Sequence, residues 1–555
     1  MCRRTCPVGV LFSLGLMFFV TGPFAWRQTI TLKPVVVIPA SETLATSVEP
    51  SQQSTVISTT LAHAFIATTS MTALHESARV ATTPAHLPTS TSISTSGTAN
   101  MSKYFTIWSQ QYAEISKQEH GFEAFIAAAK ESGFDTLVSS VTLGELLMPE
   151  GQGFLETVLM DKVVSEACKQ GLGSVVLLDF WRANDYVLGH FERVEDAEGR
   201  KYFSPSTGST AFLDLVDDVL RKVAQRYRNS PSMHCVRALS PNFNNELETR
   251  FAQEYDSFQD YSPAMLSKYR LWLESLGDID FLNARWQKGY TTFKDIVPPR
   301  ISGRGHFKDL ESWDWQEFRE TYMSRVVEHA CEVVAGEGLR CFLHFAESFT
   351  TLDSILTAPF FKLMKSPHVH EVAMDSNFVN FMMSPSSSDI AGMLTDMTHV
   401  YNKTVYFEAA VERYQGKPKQ LSDVVHKAFR TAAACGANLA VTNVNSPGLF
   451  AQLLPQHISK LRRSVHVSKA LLFSPYRSYY SYRRELVRNG SDGPVGQDRM
   501  QSGLLDAYQL LLNSYPHGVE VVGDWELLTP AYIHKFEAKV VHIPPESVVS
   551  AADAL

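Results

Sequence analysis

The chain has 555 residues, 45% of them hydrophobic and 19% charged, with 50 Lys and Arg against 58 Asp and Glu for a formal charge of −8. That length accommodates one large domain plus something smaller, and the composition is that of a globular protein. The acidic balance and the lack of any Lys/Arg-rich run argue against a nucleic-acid partner.

At the N-terminus, Arg3 and Arg4 precede an apolar run from Val8 to Val20, broken by Thr21-Gly22-Pro23. Basic residues ahead of a short apolar core are the pattern of a secretory signal. The run is shorter than the roughly 20 residues of a comfortable membrane span. Extended to Trp26, it reads equally as an uncleaved signal anchor. Residues 1–26 are therefore expected to be a signal peptide or a type II membrane anchor. Either one routes the protein into the secretory pathway, secreted or anchored with its catalytic part in the lumen or outside the cell.

Residues 27–100 are expected to form a disordered stalk. Of the 60 residues 41–100, 25 are Ser or Thr, and charges are few. Such a segment lacks the apolar face that would offset the entropy of ordering it, and it reads as a spacer, O-glycosylated or bare. The sequons at Asn100, Asn402 and Asn489 fit a secretory route. Seven cysteines show no C-x-x-C spacing. Cys331 with Cys341 is one conceivable pair, and the rest are expected mostly as buried thiols.

From residue 104 strand-like and helix-like segments alternate, as in a (β/α)8 TIM barrel. The strand candidates are Tyr104–Trp108, Thr136–Val141, Ser174–Phe180, Cys235–Leu239, Arg340–Phe345, Glu371–Asp375, Thr404–Phe407 and Leu439–Thr442. Ser174–Phe180 is built on an apolar run, as expected of a parallel strand buried on both faces. Helices are expected at about 122–131, 158–168, 212–227, 353–364, 389–401 and 422–435.

Two glutamates stand at the ends of such strands. Glu246 follows the fourth, after Asn245, and Glu408 closes the seventh. A carboxyl at the C-terminal end of a barrel strand reads as chemistry, because that face carries the active site. Glycosidic cleavage needs two such groups, one to protonate the leaving oxygen and one to stabilise or capture the cationic sugar. Glu248 lacks a preceding Asn, and Glu347 and Glu412 are further carboxylates near strand ends. Trp181 and Arg182, just past the third strand, are candidates for binding sugar.

The stretch SPAMLSKYRLWLESLGDIDFLNARWQKGYTTFKDIVPPR, from Ser262 to Arg300, ends in "L-N-x-x-W … F-x-D-I-x-P-P". It closely resembles the loop after the fourth strand of glycoside hydrolase family 42, the clan A retaining β-galactosidases. Glu145–Gly153 with Met160-Asp161, Val372–Asn377, and Phe407-Glu408 with Gln415-Gly416 and Ala432–Ala437 resemble further family segments in the same order. The resemblance covers about residues 104–545. It implies that Glu246 is the acid/base and Glu408 the nucleophile, that Asn245 holds the sugar 2-hydroxyl, and that the two carboxyls lie roughly 5–5.5 Å apart. It also implies that Trp286 is a sugar platform and Asp375 a pocket-wall group.

Departures from the family pattern bear on galactose specificity. Asn443–Pro447 stands where an aromatic and an Arg are usual, Phe180–Asn184 where a Pro-rich segment is, and the Cys-rich zinc site is missing.

The expected architecture is thus a catalytic (β/α)8 barrel over 101–465 and a truncated flavodoxin-like α/β domain over 466–555. The expected function is a retaining exo-glycosidase on terminal β-galactosides. The alternatives are the same mechanism on another glycan, or a carbohydrate-binding barrel without turnover. No metal or other cofactor is expected, because neither proton transfer nor the covalent step calls for one.

Overall fold

The computed structural model describes residues 37–39, 105–108, 121–147, 158–244, 247–249, 259–300, 309–345, 360–374, 387–410, 418–434, 436–442, 468–475, 499–515 and 518–541, all within one unit spanning Val36–Leu555. In chain order the strands are β1 (Val37–Pro39), β2 (Phe105–Trp108), β3 (Thr136–Thr142), β4 (Gly173–Asp179), β5 (Arg193–Glu195), β6 (Lys201–Pro205) and β7 (Val236–Asn242). They continue as β8 (Arg340–Phe345), β9 (Val369–Met374), β10 (Thr404–Ala410), β11 (Asn438–Thr442), β12 (Ala470–Phe473), β13 (Val519–Val522) and β14 (Ala538–Val541).

Eight of them close a barrel in the order β10-β11-β2-β3-β4-β7-β8-β9. Every pairing around the ring is parallel, including β11 with β2, which shuts it. The expected (β/α)8 barrel is therefore the observed one. Helices fill the outer ring because their sequences carry one apolar stripe each. Thr210–Arg228 buries Phe212, Val216, Val219, Leu220, Val223, Ala224 and Tyr227 at three- and four-residue spacing. The Ser209 hydroxyl caps it by accepting the Phe212 N–H at 3.3 Å.

Inside the ring, Val138, Val175, Leu177, Ala238, Phe342, Ala373, Tyr406 and Ala440 pack with Leu247 into a separate apolar cluster. This is the side-chain filling that makes such a barrel a packed core rather than a pore. At the other end of the strands, Glu371 takes Arg340 at 3.1 Å and Arg237 at 3.2 Å, along with the Tyr406 hydroxyl at 2.8 Å. Those contacts give a fully buried carboxylate its counter-charges.

Three features depart from expectation. The helix Leu310–Gly336 is among the longest elements described, yet its buried side includes Glu311, Asp314, Gln316, Arg319 and Glu320. Polar residues facing inward erase the apolar periodicity that would announce it. Strands β5 and β6 form a small antiparallel hairpin after β4. And four of the cysteines are joined, Cys168 to Cys235 and Cys331 to Cys341. The expectation that most are buried thiols is thereby corrected, while the Cys331–Cys341 pair stands.

A second sheet has the order β1-β14-β12-β13, with β12 parallel to both β13 and β14 and β1 antiparallel to β14. The expected signal or anchor over 1–26 lies outside the described residues, as does the expected stalk apart from β1, which is strand. The helix Arg499–Ser514 meets the barrel helix Ser387–His399 through a Tyr508 hydroxyl donating to Asp396 Oδ2 at 2.7 Å.

Candidate active site

Glu408 lies two residues before the end of β10, in register with Ala440 of β11. Side chains along a strand alternate between faces, so Glu408 shares the inward face of Tyr406 one layer nearer the C-terminal mouth. It is 8% exposed. A carboxylate there, with little water to solvate it, needs a partner. The partner is His344, whose Nε2 lies 2.5 Å from Glu408 Oε2. His344 stands on β8, two residues beyond Phe342, and is itself buried at 5% exposure.

His344 Nδ1 lies 3.1 Å from the Leu247 carbonyl oxygen. The Thr249 N–H donates to the His344 carbonyl at 2.6 Å. Leu247 is buried and adopts φ +62°, a left-handed conformation that costs a side-chain-bearing residue about 1–2 kcal/mol. Its turn is fixed from before: Asn244 Oδ1 accepts the Glu248 N–H at 2.8 Å. The segment just past β7 is thus clipped to β8. Asn245, Glu246 and Asp375 lie outside the described residues, as do Glu347 and Glu412.

At the end of β4, Asp179 collects the backbone N–H groups of Trp181 and Arg182 and, at 2.5 Å, the Arg182 guanidinium. Burial pushes the Asp179 carboxyl up, opposed by the adjacent Arg182 charge. The Arg182 side chain remains 44% exposed at the barrel mouth, where it can still meet a polar ligand.

Trp181 is 7% exposed and packs on Tyr202 and Val194 of the β5–β6 hairpin, with Trp181 and Tyr202 ring centroids 5.8 Å apart. Trp286 is 6% exposed, belongs to the main hydrophobic core and donates its indole N–H to Asp314 at 2.7 Å. Both indoles are committed to packing. The expected platform role of Trp286 and the sugar contact expected of Trp181 are not what these positions favour, because a stacking face must be open.

Sequence reasoning passed over His344 and Asp179. The signal for His344 was available: β8 and β10 are alternate strands of the ring, and alternate strands supply one layer of the interior. Phe342 and Tyr406 already meet in the layer below, centroids 5.8 Å apart. Two residues on, the same geometry brings His344 to Glu408. Among the described residues no group of three or more His, Cys, Asp or Glu is arranged to hold a metal ion.

A closed parallel barrel with a buried carboxylate on its seventh strand defines a class, and comparison with known proteins narrows it. Residues 190–373 match the glycoside hydrolase family 42 model, described as beta-galactosidase. The fold is shared with the beta-galactosidase of the Antarctic haloarchaeon Halorubrum lacusprofundi (16% identity, TM-score 0.57, covering 76% of this chain and 66% of that one). It is also shared with the beta-galactosidase of Bacillus circulans sp. alkalophilus (13% identity, TM-score 0.58, covering 76% and 65%). A beta-amylase catalytic domain from Paenibacillus polymyxa is similar too (10% identity, TM-score 0.51, covering 66% and 98%).

The class is that of the closed (β/α)8 barrels. Within it, residues 190–373 of this chain are similar to glycoside hydrolase family 42. The chain spans just under two thirds of the length of the beta-galactosidases it matches.

Proposed function

We propose that the barrel hydrolyses terminal β-galactosides with retention of configuration, by double displacement. Glu408 attacks the anomeric carbon and Glu246 protonates the leaving oxygen, after which Glu246 deprotonates the water that releases the sugar. Asn245 holds the 2-hydroxyl, and Arg182 and Asp375 line the approach. The observation that carries this reading is Glu408 itself, a buried carboxylate on the seventh strand near the C-terminal face, in a chain whose central third matches family 42.

A second glycan as natural substrate is favoured by one observation. Trp181 and Trp286, two of the residues expected to touch sugar, are buried in packing, so the wall that reads the sugar differs from the one the family pattern implies. A panel of aryl glycosides tests both readings. Cleavage of the β-galactoside with retained anomeric configuration supports the first, and cleavage of a different aryl glycoside supports the second. No cleavage of any member by the wild-type protein would leave the non-catalytic carbohydrate-binding barrel.

The proposed setting is the secretory pathway. Two disulfides persist where the compartment is oxidising. The Asn402 sequon lies exposed in the turn before β10, at the end of that strand away from Glu408. A glycan there would leave the mouth open.

A further inference from the structure

We propose that His344 is the positioning residue of the nucleophile: it ties down Oε2 of Glu408 through a shared proton and reserves Oε1 for the sugar. This inference rests on the reading of Glu408 as nucleophile and adds a residue that the carboxylate pair alone does not call for.

Counting hydrogens carries the first step. The Leu247 carbonyl can only accept, so His344 Nδ1, 3.1 Å away, holds a hydrogen. The line between Nε2 and Glu408 Oε2, 2.5 Å long, needs a hydrogen too, since two bare lone pairs would repel. The pair therefore holds one proton between its two facing atoms, as imidazolium with carboxylate or as imidazole with carboxylic acid. Its net charge is the same in either form. The imidazolium form is the one that leaves Oε1 anionic and ready to attack.

The chemistry then balances without any change at His344. As Oε1 bonds to the anomeric carbon, the bond to the leaving oxygen breaks and its electron pair goes to that oxygen, which takes the proton of Glu246. Oε2 becomes the carbonyl oxygen of the glycosyl ester and keeps accepting from Nε2. When water displaces the sugar, the electron pair of the ester bond returns to the carboxylate, and the imidazolium meets the charge as it forms. One donor thus serves both half-reactions.

The surroundings hold the imidazole to this task. Its ring is buried one layer above the Phe342–Tyr406 pair. Its carbonyl is fastened by the Thr249 N–H at 2.6 Å. Leu247 presents its carbonyl from a left-handed backbone conformation, φ +62°, and such conformations persist where the surrounding contacts over-determine them. His344 is therefore a strut between the segment following Glu246 and the carboxylate of Glu408. A ring that only filled space would need neither hydrogen bond.

The test uses a dinitrophenyl 2-deoxy-2-fluoroglycoside of a sugar that the wild-type protein cleaves. The rate of covalent labelling is followed, and the modified peptide is identified by mass spectrometry. His344→Phe fills the layer but cannot donate, whereas His344→Gln keeps an N–H donor that does not titrate. We expect His344→Phe to label about 100-fold more slowly, the scale of a misplaced reacting group, and His344→Gln to recover to within about tenfold of wild type.

Rates are taken per folded molecule, with thermal melts recorded for each variant. Should the phenyl ring not be accommodated, His344→Ala carries the same comparison. Wild-type labelling at Glu408 with both variants labelled at the wild-type rate overturns the inference and leaves the nucleophile standing. Labelling of wild type at another carboxylate overturns the nucleophile assignment, and the inference falls with it.

Discussion

Trp286 donates its indole N–H to Asp314 Oδ2 over 2.7 Å, and the Arg285 guanidinium grips the same carboxylate through contacts of 2.7 and 2.8 Å. The hydrogen bond to Asp314 raises the Arg285 pKa. The short helix Ile279–Trp286 is pinned in this way to the long helix Leu310–Gly336.

Asp314→Ala should strand a half-buried guanidinium and a buried indole N–H together. The expected cost is about 3 kcal/mol, the scale of breaking a buried charge pair from one side. Chemical denaturation midpoints measure it. A loss below half of that would mean the pair is exposed to solvent in solution.

The two glutamates should fail differently. Glu408→Gln removes the proposed nucleophile, and turnover should fall by about 10³–10⁶-fold, between the loss of a proton-transfer group and that of a nucleophile. Glu246→Gln should hurt substrates with poor leaving groups far more than a dinitrophenyl glycoside, whose departure needs no proton. A steady-state comparison of the two substrates reads this directly, and equal losses on both would deny Glu246 the role of acid.

The two disulfides close loops of very different size, with sequence separations of 67 and 10 residues. In the chain-entropy account, Cys168–Cys235 contributes about 4 kcal/mol and Cys331–Cys341 about 3 kcal/mol. Cys168→Ser should therefore lower the melting temperature more than Cys331→Ser. The reverse order would show that local packing outweighs loop closure.

Asp396 gives a pH signature. Burial, with the Glu520 charge adding to it, pushes its carboxyl well above the usual carboxylate range, against the opposing hydrogen bond from Tyr508. A raised folded value means its contribution to stability is complete below the unfolded value near about 3.9. That contribution is lost as pH rises through the folded value. Asp396→Asn does not titrate, so its melting temperature relative to wild type should climb between pH 4 and about 7. A constant difference across that range would show the carboxyl to be solvated.

Much of the barrel was legible because buried parallel strands are short apolar runs between helical segments. Val236–Asn242 ran further than expected, through Pro241, which a strand pattern would not include. The Leu310–Gly336 helix was hidden by the polar residues it buries. Of the site, Glu408 could be read because an acid at a strand end is conspicuous. His344 could not be so read, since its significance lies in the stacking of layers between β8 and β10, which is a property of the closed ring and not of either strand. Trp286 misled because an aromatic in a family-like motif looks the same whether its face is open or covered.

Strand β1 comes from ahead of the Ser/Thr-rich tract and pairs along β14, near the other end of the chain. The chain ahead of that tract is therefore tied into the second sheet as its outer strand. A shortened protein beginning at residue 101 would lose that outer strand and bare the flank of β14 to its neighbours in solution. Clumping of such a fragment would report a missing strand rather than an unstable barrel.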